Sequence, residues 1–152
     1  MCARTDGELR SLPTAPFDHR DVIGSSTHKG ENLLSELLTN KRCVPCEGGI
    51  PALTDDQIAA LLPQVPRWRV AEIETNGQRV KSLQRTLHCK DFRQAMAFLR
   101  KVEEIAESEG HHPDFCVHYN RVDFTVWTHA IGGLHENDFI LAAKIDALKQ
   151  QL

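Results

Sequence analysis

Histidines are concentrated in one stretch of this 152-residue chain, between Glu107 and Asp138. Five of the eight histidines of the sequence fall there: His111, His112, His118, His129 and His135. Histidine is the side chain whose unperturbed titration lies nearest neutral pH. A cluster of imidazoles bracketed by acidic residues therefore favours proton-transfer chemistry.

Three of these histidines are the candidate catalytic residues. His111 and His112 leave a predicted helix together, and His129 is expected to close a predicted strand. Imidazoles around one cleft could protonate a leaving group and remove a proton elsewhere on the same ligand, which contributes roughly 10²–10⁴ in rate. Glu107, one helical turn before His111, could orient an imidazole. Asp138, at a helix start, stays ionised easily and could do the same.

Spacing alone leaves two other interpretations of the histidines open. Adjacent histidines before Pro113 are also typical of polar surface turns and of helix caps. Zinc sites usually contain ligand pairs such as H-x-x-x-H or C-x-x-C. Because the neighbouring side chains of His111 and His112 diverge, both can rarely bind one ion, and no metal site is predicted from them.

A Cys43-x-x-Cys46 pair lies upstream, and its role is open. The thiols are structural or inert in the simplest interpretation. A redox site would require a helix that starts at Cys43, which Pro45 and the following glycines disfavour. A zinc site would need two further ligands, from Cys89, Cys116 or His88.

The composition is that of a soluble globular protein of one ordinary domain, with 41% hydrophobic and 26% charged residues. A net charge of −3 gives no general attraction to nucleic acid or to anionic membranes. No segment approaches the ~20 apolar residues of a membrane span. Five unevenly spaced cysteines favour a reducing compartment. We therefore predict a cytoplasmic location, although the acidic residues near the N-terminus argue only weakly against organelle targeting.

The chain divides into two predicted regions. Residues 1–50 are interpreted as a partly disordered extension with a short helix near 32–38, and residues 51–152 as the folded domain. The domain opens with a helix, because Thr54 and Gln57 have the spacing of a capping box.

Two antiparallel hairpins are expected in the domain. Asn76-Gly77 indicates a two-residue turn because both positions tolerate positive φ. The second turn is predicted at Asn120-Arg121. Alternating apolar residues predict the four flanking strands at residues 68–73, 80–87, 115–119 and 122–129.

The longest helix is predicted to start after Asp91 and to end at Gly110, which suits a left-handed C-terminal cap. Phe98 lies beside its apolar stripe and could widen it towards a partner subunit. Together with a last helix that has Asp138 in its first turn, the element order predicts an α+β domain: a four-stranded antiparallel sheet with about three helices on one face. The stripe expected to face the sheet comprises Phe92, Ala95, Met96, Leu99, Val102, Ile105 and Ala106.

The histidine region resembles the signature of the pterin-4a-carbinolamine dehydratases. The similarity covers about residues 52–150, and the segment C-V-P-C-E-G-G also resembles one found in plant and bacterial members. One departure is His135, which stands where the family usually has Ser or Thr; it could cap the last helix poorly or add a titratable group. The residues that carry the resemblance are Glu107, His111-His112-Pro113, Tyr119, His129 and Asp138.

The resemblance implies a reaction and a site. The family dehydrates 4a-hydroxytetrahydrobiopterin to quinonoid dihydrobiopterin, a hydro-lyase step of tetrahydrobiopterin regeneration that needs no cofactor or metal. His111, His112 and His129 would surround the pterin edge as general acid and base, in an order that the sequence leaves open. The remaining substrate-binding or orienting residues would be Asp138, Glu107, Pro113 and Trp127, with Trp127 either stacked on the pterin or buried at a subunit contact.

The resemblance also implies partners and alternatives. A homodimer or homotetramer is expected, and no nucleic acid or membrane partner. Some relatives act as dimerisation cofactors of a transcription factor through a helical surface, which here would be the helix of residues 92–109. An enzyme for a related pterin, such as molybdopterin, would use the same histidines.

Overall fold

The computed structural model describes residues 37–45 and 49–149. Three α-helices and four β-strands follow Thr54, and short 3₁₀ turns lie at Leu38–Asn40, Leu62–Gln64 and His129–Ile131. The elements, in chain order, are α1 (Asp55–Leu61), β1 (Arg69–Thr75), β2 (Gln78–His88), α2 (Phe92–Glu109), β3 (Asp114–His118), β4 (Arg121–Val126) and α3 (Glu136–Lys149).

The four strands form one antiparallel sheet in the order β1-β2-β4-β3. The α+β fold predicted from the sequence is therefore confirmed. Two tight hairpins and the crossover through α2 place β4 in the interior of the sheet and β3 at its edge. This order brings the end of α2, the start of β3 and the end of β4 to one side of the domain, where the candidate histidines lie.

Helix α2 begins and ends where the sequence predicts, but its buried face is rotated. The Asp91 carboxylate accepts a hydrogen bond from the Gln94 backbone N–H at 2.8 Å, and Gly110 has a φ of 61°. Phe98 is fully buried and packs edge-on against Phe124 of β4, so its expected place towards a partner subunit is wrong. Phe92 and Met96, expected to face the sheet, are 49% and 40% exposed.

The sheet ends differ from prediction at two places. The second hairpin turn consists of Tyr119 and Asn120, one residue earlier than expected, because His118 pairs with Arg121. Strand β4 ends at Val126, so the expectation that His129 closes this strand is wrong. After Val126 the chain folds back instead, and the Thr128 N–H donates to the Gly133 carbonyl at 2.9 Å.

Part of the predicted extension packs against the domain. Leu38 is fully buried in the main hydrophobic core, and its N–H donates to the Gln64 side chain at 3.2 Å. Most of the helix predicted near 32–38 lies outside the described residues, as does Cys46. The division of the chain at residue 50 stays a prediction, but residues 37–45 are held on the folded body.

None of the helices within the described ranges is long and apolar enough to cross a membrane.

Candidate active site

His111 follows directly from the left-handed end of α2. Gly110 turns the chain, and the His111 N–H donates to the Ala106 carbonyl at 3.2 Å, which closes the helix. The imidazole, only 11% exposed, points inward, and its Nε2 lies 2.6 Å from Asp138 Oδ1. The end of one helix is thereby bonded to the start of another.

Asp138 is fully buried in the first turn of α3 and is surrounded by donors. Its Oδ2 accepts hydrogen bonds from the Thr128 hydroxyl at 3.0 Å and the His135 backbone N–H at 2.7 Å. An ionised carboxylate only accepts hydrogen bonds, so the third partner, His111, donates through Nε2–H. Asp138 therefore fixes the orientation and tautomer of the His111 ring, and Nδ1 is the ring nitrogen left for a ligand.

His135 occupies the residue before α3. Its Nδ1 accepts a hydrogen bond from the Asn137 N–H at 3.3 Å, which is long for a bond of this type. In the shorter bond at this helix start, the His135 backbone N–H is the donor and the Asp138 carboxylate is the acceptor. His135 thus forms a weak side-chain cap, and its ring is not among the groups that line the cleft described below.

His112 and Glu107 form a second histidine–carboxylate pair. His112 Nε2 lies 3.0 Å from Glu107 Oε1, and both side chains are mostly exposed. Glu107 therefore orients the outer ring, His112, whereas the buried ring is oriented by Asp138. Exposed pairs of this kind are weak, typically about 0–1 kcal/mol.

The third histidine lies beside Trp127 and Asp114. The nearly buried Trp127 donates its indole N–H to Asp114 Oδ2 at 3.1 Å. His129 Nε2 lies 3.5 Å from the same oxygen, and the two aromatic rings meet edge-to-face with centroids 4.1 Å apart. Asp114 and the Thr128 partner of Asp138 were not identified from the sequence. The only signal for Asp114 was an acid directly after His-His-Pro.

The loop that carries His129 is fixed by a close approach of two backbones. The Leu53 N–H donates to the Leu134 carbonyl at 2.8 Å. A Cβ on residue 133 would lie 2.7 Å from the Cβ of Ala52, so only glycine fits at Gly133 without a shift of the chain. The approach of the segment that leads into α1 therefore shapes the loop that presents His129.

All three candidate imidazoles line one open cleft of about 260 Å³. One wall is the segment from Gly110 to Asp114, and the other is the segment from Trp127 to Ala130. The volume lies just below the ~300–1,000 Å³ usual for small-molecule sites, which suits a compact ligand. The predicted residues divide in a clear way: Pro113 and Trp127 line the cleft, Asp138 lies buried behind His111, and Glu107 lines an adjacent groove.

Within residues 37–45 and 49–149, no group of three or more His, Cys, Asp or Glu side chains is arranged to hold a metal ion.

Cys43 is a shielded thiol. Burial, together with the nearby Glu109 carboxylate, raises the pKa of Cys43 to about 12. Burial would also raise the pKa of Glu109, but hydrogen bonds from the Lys144 ammonium and the Cys43 N–H outweigh it, and the pKa of that carboxyl lies below its ordinary value. A thiol with so high a pKa is a poor nucleophile, which favours the structural interpretation of Cys43 over the redox one.

We expect Cys43 to resist alkylation in the folded protein. At pH 8 its thiolate fraction is far below that of an ordinary cysteine, whose pKa is about 8.5. Peptide mapping by mass spectrometry after brief iodoacetamide treatment should find residue 43 unmodified, whereas the urea-unfolded chain should be labelled there. Labelling at equal rates in both states would contradict the shielding.

Comparison with known proteins identifies relatives along the domain. A sequence model described as pterin 4 alpha carbinolamine dehydratase matches residues 51–148. Proteins that bear the name pterin-4-alpha-carbinolamine dehydratase align over most of this chain. The one from Methylococcus capsulatus is 50% identical over 113 residues, 73% of this chain and 92% of its own. One from Gloeobacter violaceus is 45% identical over 76% of this chain and 96% of its own.

A plant relative and a solved structure extend the comparison. A protein of Arabidopsis thaliana, named pterin-4-alpha-carbinolamine dehydratase 2, mitochondrial, is 46% identical over 74% of this chain and 59% of its own. The crystal structure of a transcriptional coactivator/pterin dehydratase from Brucella melitensis superposes with a TM-score of 0.55 at 31% identity. That match covers 64% of this chain and 97% of the other.

Proposed function

Because this chain belongs to the pterin-4a-carbinolamine dehydratase family, we propose that it converts 4a-hydroxytetrahydrobiopterin to quinonoid dihydrobiopterin and water, in tetrahydrobiopterin regeneration. One observation carries the proposal. Imidazoles from two distant parts of the chain, at residues 111–112 and 129, face one cleft of about 260 Å³. This elimination requires an acid and a base within reach of one substrate, and imidazoles of one cleft can supply both.

The chemistry balances with protein side chains alone. The bond between C4a and the hydroxyl oxygen breaks, and an imidazolium supplies the proton that lets the oxygen leave as water. The proton on N5 passes to a neutral imidazole, and the N5 electron pair forms the new double bond to C4a. The ring system undergoes elimination with no exchange of electrons with an outside acceptor. After each turnover, proton exchange with solvent returns one histidine to its acid form and the other to its base form.

We assign the two proton transfers to His111 and His129, because they lie on different walls of the cleft and each has its own carboxylate partner. Asp138 holds the His111 ring through Nε2, so His111 would act through Nδ1. Asp114 lies within 3.5 Å of His129 and would stabilise that ring when it is charged. His112, on the same wall as His111, is placed as the third imidazole at the polar edge of the substrate.

Stopped-flow absorbance on enzymatically generated 4a-carbinolamine tests the proposal. We expect the protein to accelerate loss of the 4a-hydroxyl group above the uncatalysed rate, saturably in substrate. Absence of acceleration with the folded protein would remove the proposal. Turnover of a molybdopterin-type ligand in place of the biopterin-type one would instead favour the related-pterin alternative.

The compartment stays a prediction from the sequence, cytoplasmic with organelle import open. The Arabidopsis relative alone carries the word mitochondrial in its name among the relatives described above.

An apolar groove beside the cleft supports the expected homo-oligomer. It has a volume of about 280 Å³, lies between α2 and β3, and is lined by Met96, Leu99, Val102, Phe115 and Val117 among others. Both Met96 and Phe115 are at least 40% exposed. Strand β3 is also an edge strand of the sheet. An exposed edge next to an apolar groove is typical of a self-association surface, so we propose a second copy of the chain as its occupant.

Charge in this groove should dissociate the oligomer. We expect Met96→Glu and Phe115→Glu each to shift the mass measured by light scattering towards the monomer, because burial of an unpaired carboxylate is unfavourable. Leu37→Glu is the matched control, since Leu37 is 63% exposed and does not line the groove. If the wild-type protein is already monomeric, the groove is open to a helical partner, as the transcription-factor alternative would require.

A further inference from the structure

The segment from Lys41 to Val44 crosses the domain surface between the end of α2 and the start of α3. At the α2 side, the Cys43 backbone N–H donates to Glu109 Oε2 at 2.8 Å. The other oxygen of Glu109 pairs with the Lys144 ammonium of α3, and both of these side chains are largely buried. Glu109 thus joins three pieces of the chain at the base of α2.

At the α3 side, the same segment is held by one amide side chain. The Val44 N–H donates to Asn137 Oδ1 at 3.1 Å, and Asn137 Nδ2 donates to the Val44 carbonyl at 2.7 Å. Asn137 is only 2% exposed. A reciprocal pair of hydrogen bonds to this buried amide defines position well, because loss of Val44 as its partner would leave a buried polar group unsatisfied. The Cys43 thiol adds a contact to the Asn137 carbonyl at 3.7 Å.

The two anchor residues lie next to the buried histidine pair. Glu109 precedes His111 by two residues, and Asn137 directly precedes Asp138. Inside the domain, α2 and α3 are joined by the 2.6 Å bond between His111 and Asp138 and by the pair of Glu109 with Lys144. The segment makes a second link between the same two helices, from outside. The match to the family begins at residue 51, so this second link comes from chain that precedes the matched domain.

We infer that the segment of residues 41–44 is a strap, and that Glu109 and Asn137 are positioning residues that hold the His111–Asp138 pair in its working geometry. The inference rests on the proposed function for its effect on rate. It does not give either residue contact with substrate, since neither lines the cleft. The strap acts through the helix ends: if it loosens, the end of α2 and the start of α3 can shift, and the ring of His111 moves from its place in the cleft.

The decisive variant is Asn137→Ala, compared with Ser82→Ala. Ser82 is also fully buried, and its hydroxyl donates to the Ala71 carbonyl at 3.1 Å on the far strands of the sheet. Asn137→Ala therefore loses two side-chain to backbone hydrogen bonds and Ser82→Ala loses one, and both variants should lose a few degrees of melting temperature. Only Asn137→Ala should reduce kcat, by about tenfold, because a displacement of about 1 Å at a reacting group can cost about 10²-fold. KM should change by less than about twofold. A change that small would show that contacts with the substrate are retained.

A second measurement reads the ring itself. Nitrogen-detected NMR of labelled imidazoles reports the tautomer and the titration of His111 directly. We expect these signals to move in Asn137→Ala and in Glu109→Ala. Glu109→Gln should preserve them better than Glu109→Ala does, since an amide oxygen can still accept from the Cys43 N–H. Ser82→Ala should leave them as in the wild type.

Two outcomes separate this inference from the proposed function. If the wild type fails to dehydrate any 4a-hydroxypterin but Asn137→Ala still shifts the His111 signals, the proposed function falls and the strap stands. If Asn137→Ala melts lower, as Ser82→Ala does, but keeps both its kcat and its His111 signals, the segment only stabilises the fold and the inference is overturned.

Discussion

Alanine in place of His111 or His129 is expected to slow dehydration of a 4a-hydroxypterin by at least about tenfold, because positioned acid–base groups contribute roughly 10²–10⁴ in rate. Each ring lies on its own wall of the cleft, so neither can replace the other. The measurement is kcat by stopped flow for each variant. The double variant should lose little more than the worse single variant if both rings act in one concerted step.

His118→Ala is the matched control. His118 is a half-exposed histidine with a carboxylate neighbour, Asp123, at 3.6 Å, and it does not line the cleft. Its rate should remain within about twofold of wild type. Because His111 is mostly buried, circular dichroism must show that its variant is folded. If His111→Ala and His129→Ala are both folded and both keep the wild-type rate, the proposed chemistry is contradicted.

Asp138→Ala should be among the most destabilising single changes in the domain. The carboxylate is fully buried and accepts from His111, the Thr128 hydroxyl and the His135 N–H. Its removal leaves three donors in the interior without their acceptor, and each unsatisfied buried group typically costs about 1–3 kcal/mol. Urea unfolding should therefore show a much lower midpoint, and the folded fraction should be nearly inactive because the His111 ring has lost its orientation.

Two further carboxyl variants make this result interpretable. Asp55→Ala removes a carboxylate that pairs with Lys81 at the surface, and should cost less than about 1 kcal/mol. Asp138→Asn keeps the shape of the side chain but turns one acceptor into a donor, so it should lie between the two in stability. Equal unfolding midpoints for Asp138→Ala and Asp55→Ala would show that the buried pair does not hold the domain together.

The sequence predicted the fold well because local signals agreed with one another. A capping box at Thr54, a two-residue turn at Asn76-Gly77 and a left-handed cap at Gly110 each set an element boundary by backbone chemistry, and the hydrogen bonds and dihedral angles are those expected. The apolar stripe of α2 was less well predicted. Met96 and Phe98 are two residues apart, so they lie on different sides of α2 and the sequence offers more than one apolar face. Packing against Phe124 selects the face on which Phe98 is buried.

Residue types in the sequence pointed to the candidate site, but the histidine–carboxylate pairings within it were not foreseen. His111, His112 and His129 line one cleft, as the sequence suggested, but their catalytic roles remain a proposal. Which carboxylate meets which ring depends on strand register and on the fold-back after β4, which no local pattern encodes. For that reason Asp114, which sits beside His129 and accepts from Trp127, was not foreseen.

The three histidine–carboxylate pairs at the candidate site differ in depth, and this sets how ionic strength acts on them. His111 and Asp138 are shielded from solvent, whereas the pairs of His112 with Glu107 and of His129 with Asp114 have side chains at least 59% exposed. In 1 M salt the Debye length falls to about 3 Å, so dissolved ions weaken only the two outer pairs. If the dehydration rate does not change with salt, the rate-limiting proton transfer therefore involves the inner ring, His111. If the rate changes, that transfer involves one of the outer rings, His112 or His129.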